Sequence, residues 1–166
     1  MLNLIGTALF ILCLFLFARY FGGIGIGAPW LPVRKQDVKA AFDIVDVGST
    51  DIVIDLGSGD GRLLAAAAKR GARVIGYELN PILCWISRFR LRSFSSHSTI
   101  YRKNLLIADV SKASIIFIFG MEWIMPLVSE KLKKEARRDV KIVSFAFALP
   151  GLVEVRKVGI ARLYKV

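Results

Sequence analysis

An apolar run that ends in three alternating glycines constrains this chain more than any other feature. "IVIDLGSGDGRLLAAAAKR" passes from β-branched residues through Asp55, Gly57, Ser58, Gly59, Asp60 and Gly61 into an alanine-rich helix former. Glycines so closely spaced let the backbone take positive φ and let a ligand approach the main chain closely. A strand, a bare loop and a helix in this order open a parallel α/β sheet, and ligands of such sheets bind beyond the carboxyl ends of the strands.

The rest of the chain continues the alternation. "ARVIGYE" reads as a second strand ending at Glu78, and Asn80 with Pro81 opens a helix. Ile82, Trp85, Ile86 and Phe89 recur at helical spacing and are expected to form that helix's buried stripe. "STIYRK" is a third strand. "ASIIFIFG" is a fourth, apolar without alternation, as a strand covered on both faces should be. A helix from about Trp123 to Arg137 precedes a fifth strand, "VKIVSFAFALPG", and "VEVRKVGIARLYKV" reads as an antiparallel hairpin around Gly159. Ahead of the first strand, Val38, Ala41, Phe42 and Val45 lie on one face of a short helix.

The chain has 166 residues, enough for one domain with a real core, yet it combines 55% hydrophobic residues and a mean hydropathy of +0.54 with a net charge of +11. Much of the apolar excess sits in "MLNLIGTALFILCLFLFA", which carries no charged side chain. As a helix it would reach about 27 Å, close to the ~30 Å hydrocarbon thickness, with Arg19 and Tyr20 at its end suited to the interface. A cleaved signal peptide would want Lys or Arg ahead of the apolar run, which this chain lacks, and cleavage after the small residues of "GIGAP" would put Pro at the new terminus. We therefore expect a transmembrane anchor over 1–21, a Gly/Pro linker over 22–33 and a folded domain over 34–166. Arg19 at the end of the anchor and Arg34, Lys35 and Lys39 beyond it are all on one side of the apolar run, with none before it, which favours a single-pass protein with its domain on the cytoplasmic side of the membrane. Cys13 and Cys84 indicate neither a disulfide nor a metal site, and no metal is expected.

The loop's chemistry narrows its ligand. A Walker-type phosphate cradle needs Gly-Lys-Ser/Thr where this chain has Asp60-Gly61-Arg62, and a dinucleotide fingerprint needs a small third residue where Arg62 stands. Asp60 would also oppose a pyrophosphate. Carboxylates at Asp55 and Asp60 suit a cationic amino group or a sulfonium, and Glu78 at the next strand end can accept hydrogen bonds from ribose hydroxyls. S-adenosylmethionine, an amino acid joined to a nucleoside without phosphate, has these features.

"VIDLGSGDGR" with "VIGYELNP" resembles the cofactor motifs of class I S-adenosylmethionine-dependent methyltransferases. "APWLP", "YELNP", "YRKN" with "DVS" behind it, and "MPLVSEKL" are similar to the branch that trimethylates lysine in the c-subunit of ATP synthase and in the adenine nucleotide translocase. The resemblance covers about residues 27–150. It implies a Rossmann-like class I methyltransferase sheet, mostly parallel with a C-terminal antiparallel hairpin, and protein-lysine N-methylation of a membrane protein with an interfacial lysine. It also implies that Asp55, Gly57, Ser58, Gly59, Asp60 and Gly61 form the cofactor loop, that Glu78 binds the ribose, and that the Pro-aromatic segment before Val33 covers the cofactor. Asn104 falls where the family carries an acid beside the adenine; an amide offers that edge both donor and acceptor. Glu122, in "FGMEWIMP" after the fourth strand, reads either as a contact to the acceptor amine or as a residue one layer behind it.

The basic charge would also suit nucleic acid, but amino methylation of a base usually shows Asn/Asp/Ser-Pro-Pro-Tyr/Phe where this chain has "FGMEW", and neither cysteine follows a proline as cytosine C5 chemistry requires. Nucleic acid is therefore disfavoured as a partner. Methylation of a lipid, RNA or small molecule, or a non-catalytic membrane module that binds S-adenosylmethionine, remain the competing readings. His97 reads as a solvated loop residue, and Arg88, Arg90 and Arg92 as solvated or membrane-facing basic surface.

Overall fold

The computed structural model describes residues 2–21 and 32–166, which fall into two compact units, Met1–Leu31 and Pro32–Val166. In the first unit the uncharged run forms α1 (Leu2–Phe21). Its described side chains run from 3 to 17 and all are exposed, Leu4, Phe10 and Phe17 among them. Among the described residues no helix is long and apolar enough to cross a membrane. The expected linker lies outside the described residues except for its last two positions, Pro32 and Val33.

In the second unit the described residues build a seven-stranded sheet from β1 (Ile52–Leu56), β2 (Arg73–Tyr77), β3 (Ser98–Tyr101), β4 (Ile115–Ile118), β5 (Lys141–Phe145), β6 (Val153–Val158) and β7 (Ala161–Lys165), in the order β3-β2-β1-β4-β5-β7-β6. The first five are parallel; β7 runs antiparallel between β5 and β6. In register, Asp55 lies beside Gly76 on one side and Phe117 on the other. All five parallel strands thus end at one edge, where the glycine loop begins. The hairpin forms as expected, turning at Gly159 with φ +58°.

Helices cover both faces. On one face α2 (Lys35–Ile44), α3 (Arg62–Ala68) and α4 (Pro81–Arg90) enclose a core with Val53, Leu64, Val74, Phe117 and Phe145. On the other, α5 (Met125–Glu135) packs Met125, Val128 and Leu132 on Ile54, Leu56, Ile116 and Ile142. β4 is buried at every position, which explains its unbroken apolar run. Asn80 caps α4 by accepting from the N–H groups of Ile82 and Leu83, at 2.9 and 3.3 Å, with Pro81 at the first helical position. The fifth strand is shorter than its apolar run because Ala146, at φ +63°, turns the chain out of the sheet.

The face of α4 differs from expectation. Leu83, Cys84 and Ser87 are its buried residues, whereas Trp85 is 67% and Phe89 57% exposed. The cause lies in the glycine loop: a Cβ on Gly61 would stand 2.2 Å from the Ser87 hydroxyl. The helix presses its small side chains against the loop, and that contact rotates Trp85 and Phe89 outward. Trp85→Ser should therefore change the unfolding free energy by no more than about 0.5 kcal/mol, the range of ordinary surface substitutions. Phe117→Ala, which empties a fully buried site, should cost about 3–5 kcal/mol. Urea denaturation of the two variants measures both.

Candidate active site

The loop from Gly57 to Gly61 is held by hydrogen bonds on both flanks. The N–H groups of Gly57 and Ser58 donate to the Tyr77 carbonyl at the end of β2, at 2.9 and 3.0 Å, and Gly61 N–H donates to the Ser58 carbonyl at 2.9 Å. Gly61 carries φ +76° and opens α3 in a left-handed conformation that a side chain would strain. Opposite the loop, the Phe119 carbonyl just beyond β4 lies 3.8 Å from where a Cβ on Gly57 would stand. Strands β1, β2 and β4 thus converge on a narrow backbone cleft.

Glu78 does more than offer a carboxylate to a ligand. Its Oε2 accepts from Gly59 N–H at 2.9 Å and its Oε1 from Asn80 N–H at 2.8 Å. A carboxylate has about four acceptor positions, so two remain for a ligand. Its own N–H donates to the Tyr101 carbonyl at 3.1 Å, tying the end of β3 to the same point.

The two aspartates of the loop have opposite surroundings. Asp55 is buried (2% exposed), and its carboxyl accepts no hydrogen bond from any described group. Burial, with the like charges of Glu78 and Asp60, pushes its carboxyl up to about 8. Asp60 is also buried, and burial alone would raise it. Arg62 and Arg90 reverse that and hold its carboxyl below the usual carboxylate range. Arg62 reaches both oxygens, Nε to Oδ1 at 2.9 Å and a terminal nitrogen to Oδ2 at 2.7 Å; Arg90 reaches Oδ2 at 2.8 Å. The Asp60 charge is thus shared between two guanidinium groups.

Arg62 also donates to the Val33 carbonyl at 2.6 Å, fastening the segment that leads into the domain to the helix behind the loop. Asn104 is exposed after β3, where its side-chain oxygen accepts from Leu106 N–H at 3.0 Å and its NH2 is left for other partners. Glu122 is exposed in the 3-10 turn Glu122–Ile124 just beyond β4, on the same edge of the sheet. His97 is half-buried against Phe94, with ring centroids 5.7 Å apart, far along the chain from the loop. Two residues here carried no signal in the sequence pattern: Phe119, which closes the β4 side, and Arg90, which with Arg62 neutralises Asp60. Arg62 stood out in the sequence only as a departure from the phosphate motifs.

The model of the ANTKMT methyltransferase domain matches residues 55–156. The lysine N-methyltransferase of the ATP synthase c-subunit from Xenopus laevis is 36% identical over 127 residues, covering 75% of this chain and 56% of that protein. The adenine nucleotide translocase lysine N-methyltransferase of Mus musculus is 36% identical over 134 residues, covering 79% and 58%. The chain therefore spans a little over half the length of these relatives. Among solved structures, an RNA methyltransferase from Salinibacter ruber in complex with S-adenosyl-L-homocysteine superposes with a TM-score of 0.75 at 27% identity, covering 81% of this chain and 91% of that one.

The raised Asp55 carboxyl has a measurable consequence. In the native protein it keeps its proton up to about pH 8, whereas in the unfolded chain it loses it near pH ~4. Between those values the native state binds more protons, so this group's contribution to stability is full below pH ~4 and is lost as pH rises through about 8. Asp55→Asn removes the dependence. Relative to the unsubstituted chain it should gain nothing near pH ~4 and on the order of a few kcal/mol by pH ~9, read from urea unfolding across that range.

Proposed function

The chain belongs to the ANTKMT methyltransferase domain family, and from that premise we propose that it transfers the methyl group of S-adenosylmethionine to the ε-amine of a lysine in a membrane protein. The observation that carries the reading is the Asp55 carboxyl, buried where β1 meets the glycine loop without a hydrogen-bond donor or counter-ion among the described residues, so that it holds its proton until a cation arrives. Such a group calls for a cation, and the amino and sulfonium charges of S-adenosylmethionine provide one. The two free acceptor positions of Glu78 suit ribose hydroxyls, the loop of Gly57, Ser58, Gly59 and Gly61 admits close backbone approach, and the free NH2 of Asn104 suits the adenine edge. The residues present therefore fit this ligand, with Asp60 serving to hold the loop through Arg62 and Arg90.

Bound there, S-adenosylmethionine supplies a methyl group whose bond to sulfur breaks, with its electron pair returning to sulfur, as the bond to the lysine nitrogen forms and a proton is lost to water. The protein's part is to orient the reactants in line and keep water out. Lysine ordinarily titrates near ~10.4, so the acceptor must be desolvated to present its neutral form. Glu122, at the end of β4, is suited to meet that amine on its way in.

The acceptor class follows from the relatives, whose names specify lysines of the ATP synthase c-subunit and of the adenine nucleotide translocase. In this reading residues 1–21 anchor the protein in a bilayer, 22–33 link and cover the site, and 34–166 form the catalytic domain on the cytoplasmic side. The uncharged run and the cations behind it support that topology. Tethering enzyme and acceptor to one surface raises their effective concentration without any new contact.

Two measurements test this. Membranes lacking the protein, incubated with labelled S-adenosylmethionine and the full chain, should gain label on lysines of a small number of membrane proteins, and Asp55→Ala should abolish it. Label in lipid, RNA or a soluble metabolite, with none on lysine, overturns the acceptor assignment. Glu78→Ala removes charged hydrogen bonds worth ~1.5–3 kcal/mol each, so calorimetry should show S-adenosylhomocysteine binding weakened about tenfold or more; unchanged affinity in a folded variant rejects the ribose role.

A further inference from the structure

We propose that the outward face of α4 is a docking surface for anionic lipid headgroups, independent of the N-terminal helix. Trp85 and Phe89, one helical turn apart, stand exposed and stacked on each other, with ring centroids 6.0 Å apart and planes inclined by 19°. The Arg92 guanidinium lies 4.1 Å above the Phe89 ring. Spacings of three and four residues bring Trp85, Arg88 and Phe89 onto one side of the helix, and Arg92 reaches back to that side from just beyond its end.

Beyond Glu78, which accepts the Asn80 N–H at the start of α4, the chain along this face carries charge of one sign. Residues 79–108 contain no Asp or Glu and carry Arg88, Arg90, Arg92, Arg102 and Lys103. Arg90 is spent on Asp60. Among the described residues none of the other four is ion-paired: Arg88 donates to the Ile100 carbonyl, Arg92 to that of Phe89 and Arg102 to that of Leu79, and Lys103 lies over Tyr101. Arg102 therefore sits at the start of α4, and the basic field extends along the helix.

Exposed aromatic side chains amid unpaired cations match an anionic leaflet: the rings suit the headgroup level and the cations the lipid phosphates and carboxylates. A single-stranded nucleic acid is also anionic, but it needs open ring faces on which bases can stack. Here Trp85 and Phe89 cover each other and Arg92 lies over Phe89. The geometry favours the lipid surface.

The chain has three tryptophans, so the emission of Trp85 is isolated as the difference between the full chain and its Trp85→Phe variant. Both are mixed with vesicles of brominated phosphatidylcholine, alone or with about 30% phosphatidylserine. The Trp85 emission should fall about twofold with the anionic vesicles and little with the neutral ones. Arg92→Glu/Arg102→Glu, at two exposed sites, should cut that quenching by about half while leaving the circular dichroism unchanged. Trp85 emission that is unaffected by anionic vesicles, or equally quenched in the charge-reversed variant, overturns the proposal. So does shielding of Trp85 from acrylamide by single-stranded RNA but not by vesicles. The readout is local to α4, so its failure is distinct from any failure of methyl transfer or of anchoring by residues 1–21.

Discussion

The Glu78 carboxylate joins pieces of chain that would otherwise be free to drift apart. It takes one N–H from the glycine loop after β1 and one from the start of α4, while its own backbone reaches across to β3. Three parallel strands end within reach of this one residue. The strand ends keep their arrangement because the bond network is shared between them, and the carboxylate still has acceptor positions to offer. A ligand that uses them binds to the same group that holds the walls in place. Binding and loop order are therefore coupled at a single side chain.

Electrostatics divide the labour within the loop. Asp55 and Asp60 are of one residue type and both buried, yet among the described residues one lacks a counter-ion and the other has two. Environment sets their roles apart. The Asp60 network fixes the loop from behind and reaches through Arg62 to Val33. Asp55 has no such partner among the described residues, and burial keeps it protonated up to about pH 8.

Much of this was legible in the sequence where the cause was local. Glycine spacing, an Asn-Pro helix start and unbroken apolar strands each report on a few consecutive residues, and they located the parallel sheet, the loop and the acid at the end of β2. What escaped the sequence depends on contacts between distant residues. Trp85 and Phe89 have the spacing of a buried stripe, but the phase of α4 is set by Ser87 meeting Gly61. Asp60 read as a ligand group because Arg90, 30 residues away, cannot be seen from the loop alone. Periodicity identifies a helix; only packing decides which side turns inward.

The position of β7 bears on how the chain is made. It is later in sequence than β6 yet lies inside it, pairing Ala161 with Phe145 and Tyr164 with Ile142 on the edge of β5. During synthesis the sheet cannot close until residues 161–165 have left the ribosome. Until then β5 presents an unpaired edge bearing Ile142, Val143 and Phe145, all buried once the fold is complete. An edge of that kind invites pairing with another chain. A chain cut short before residue 161 would thus leave that edge open.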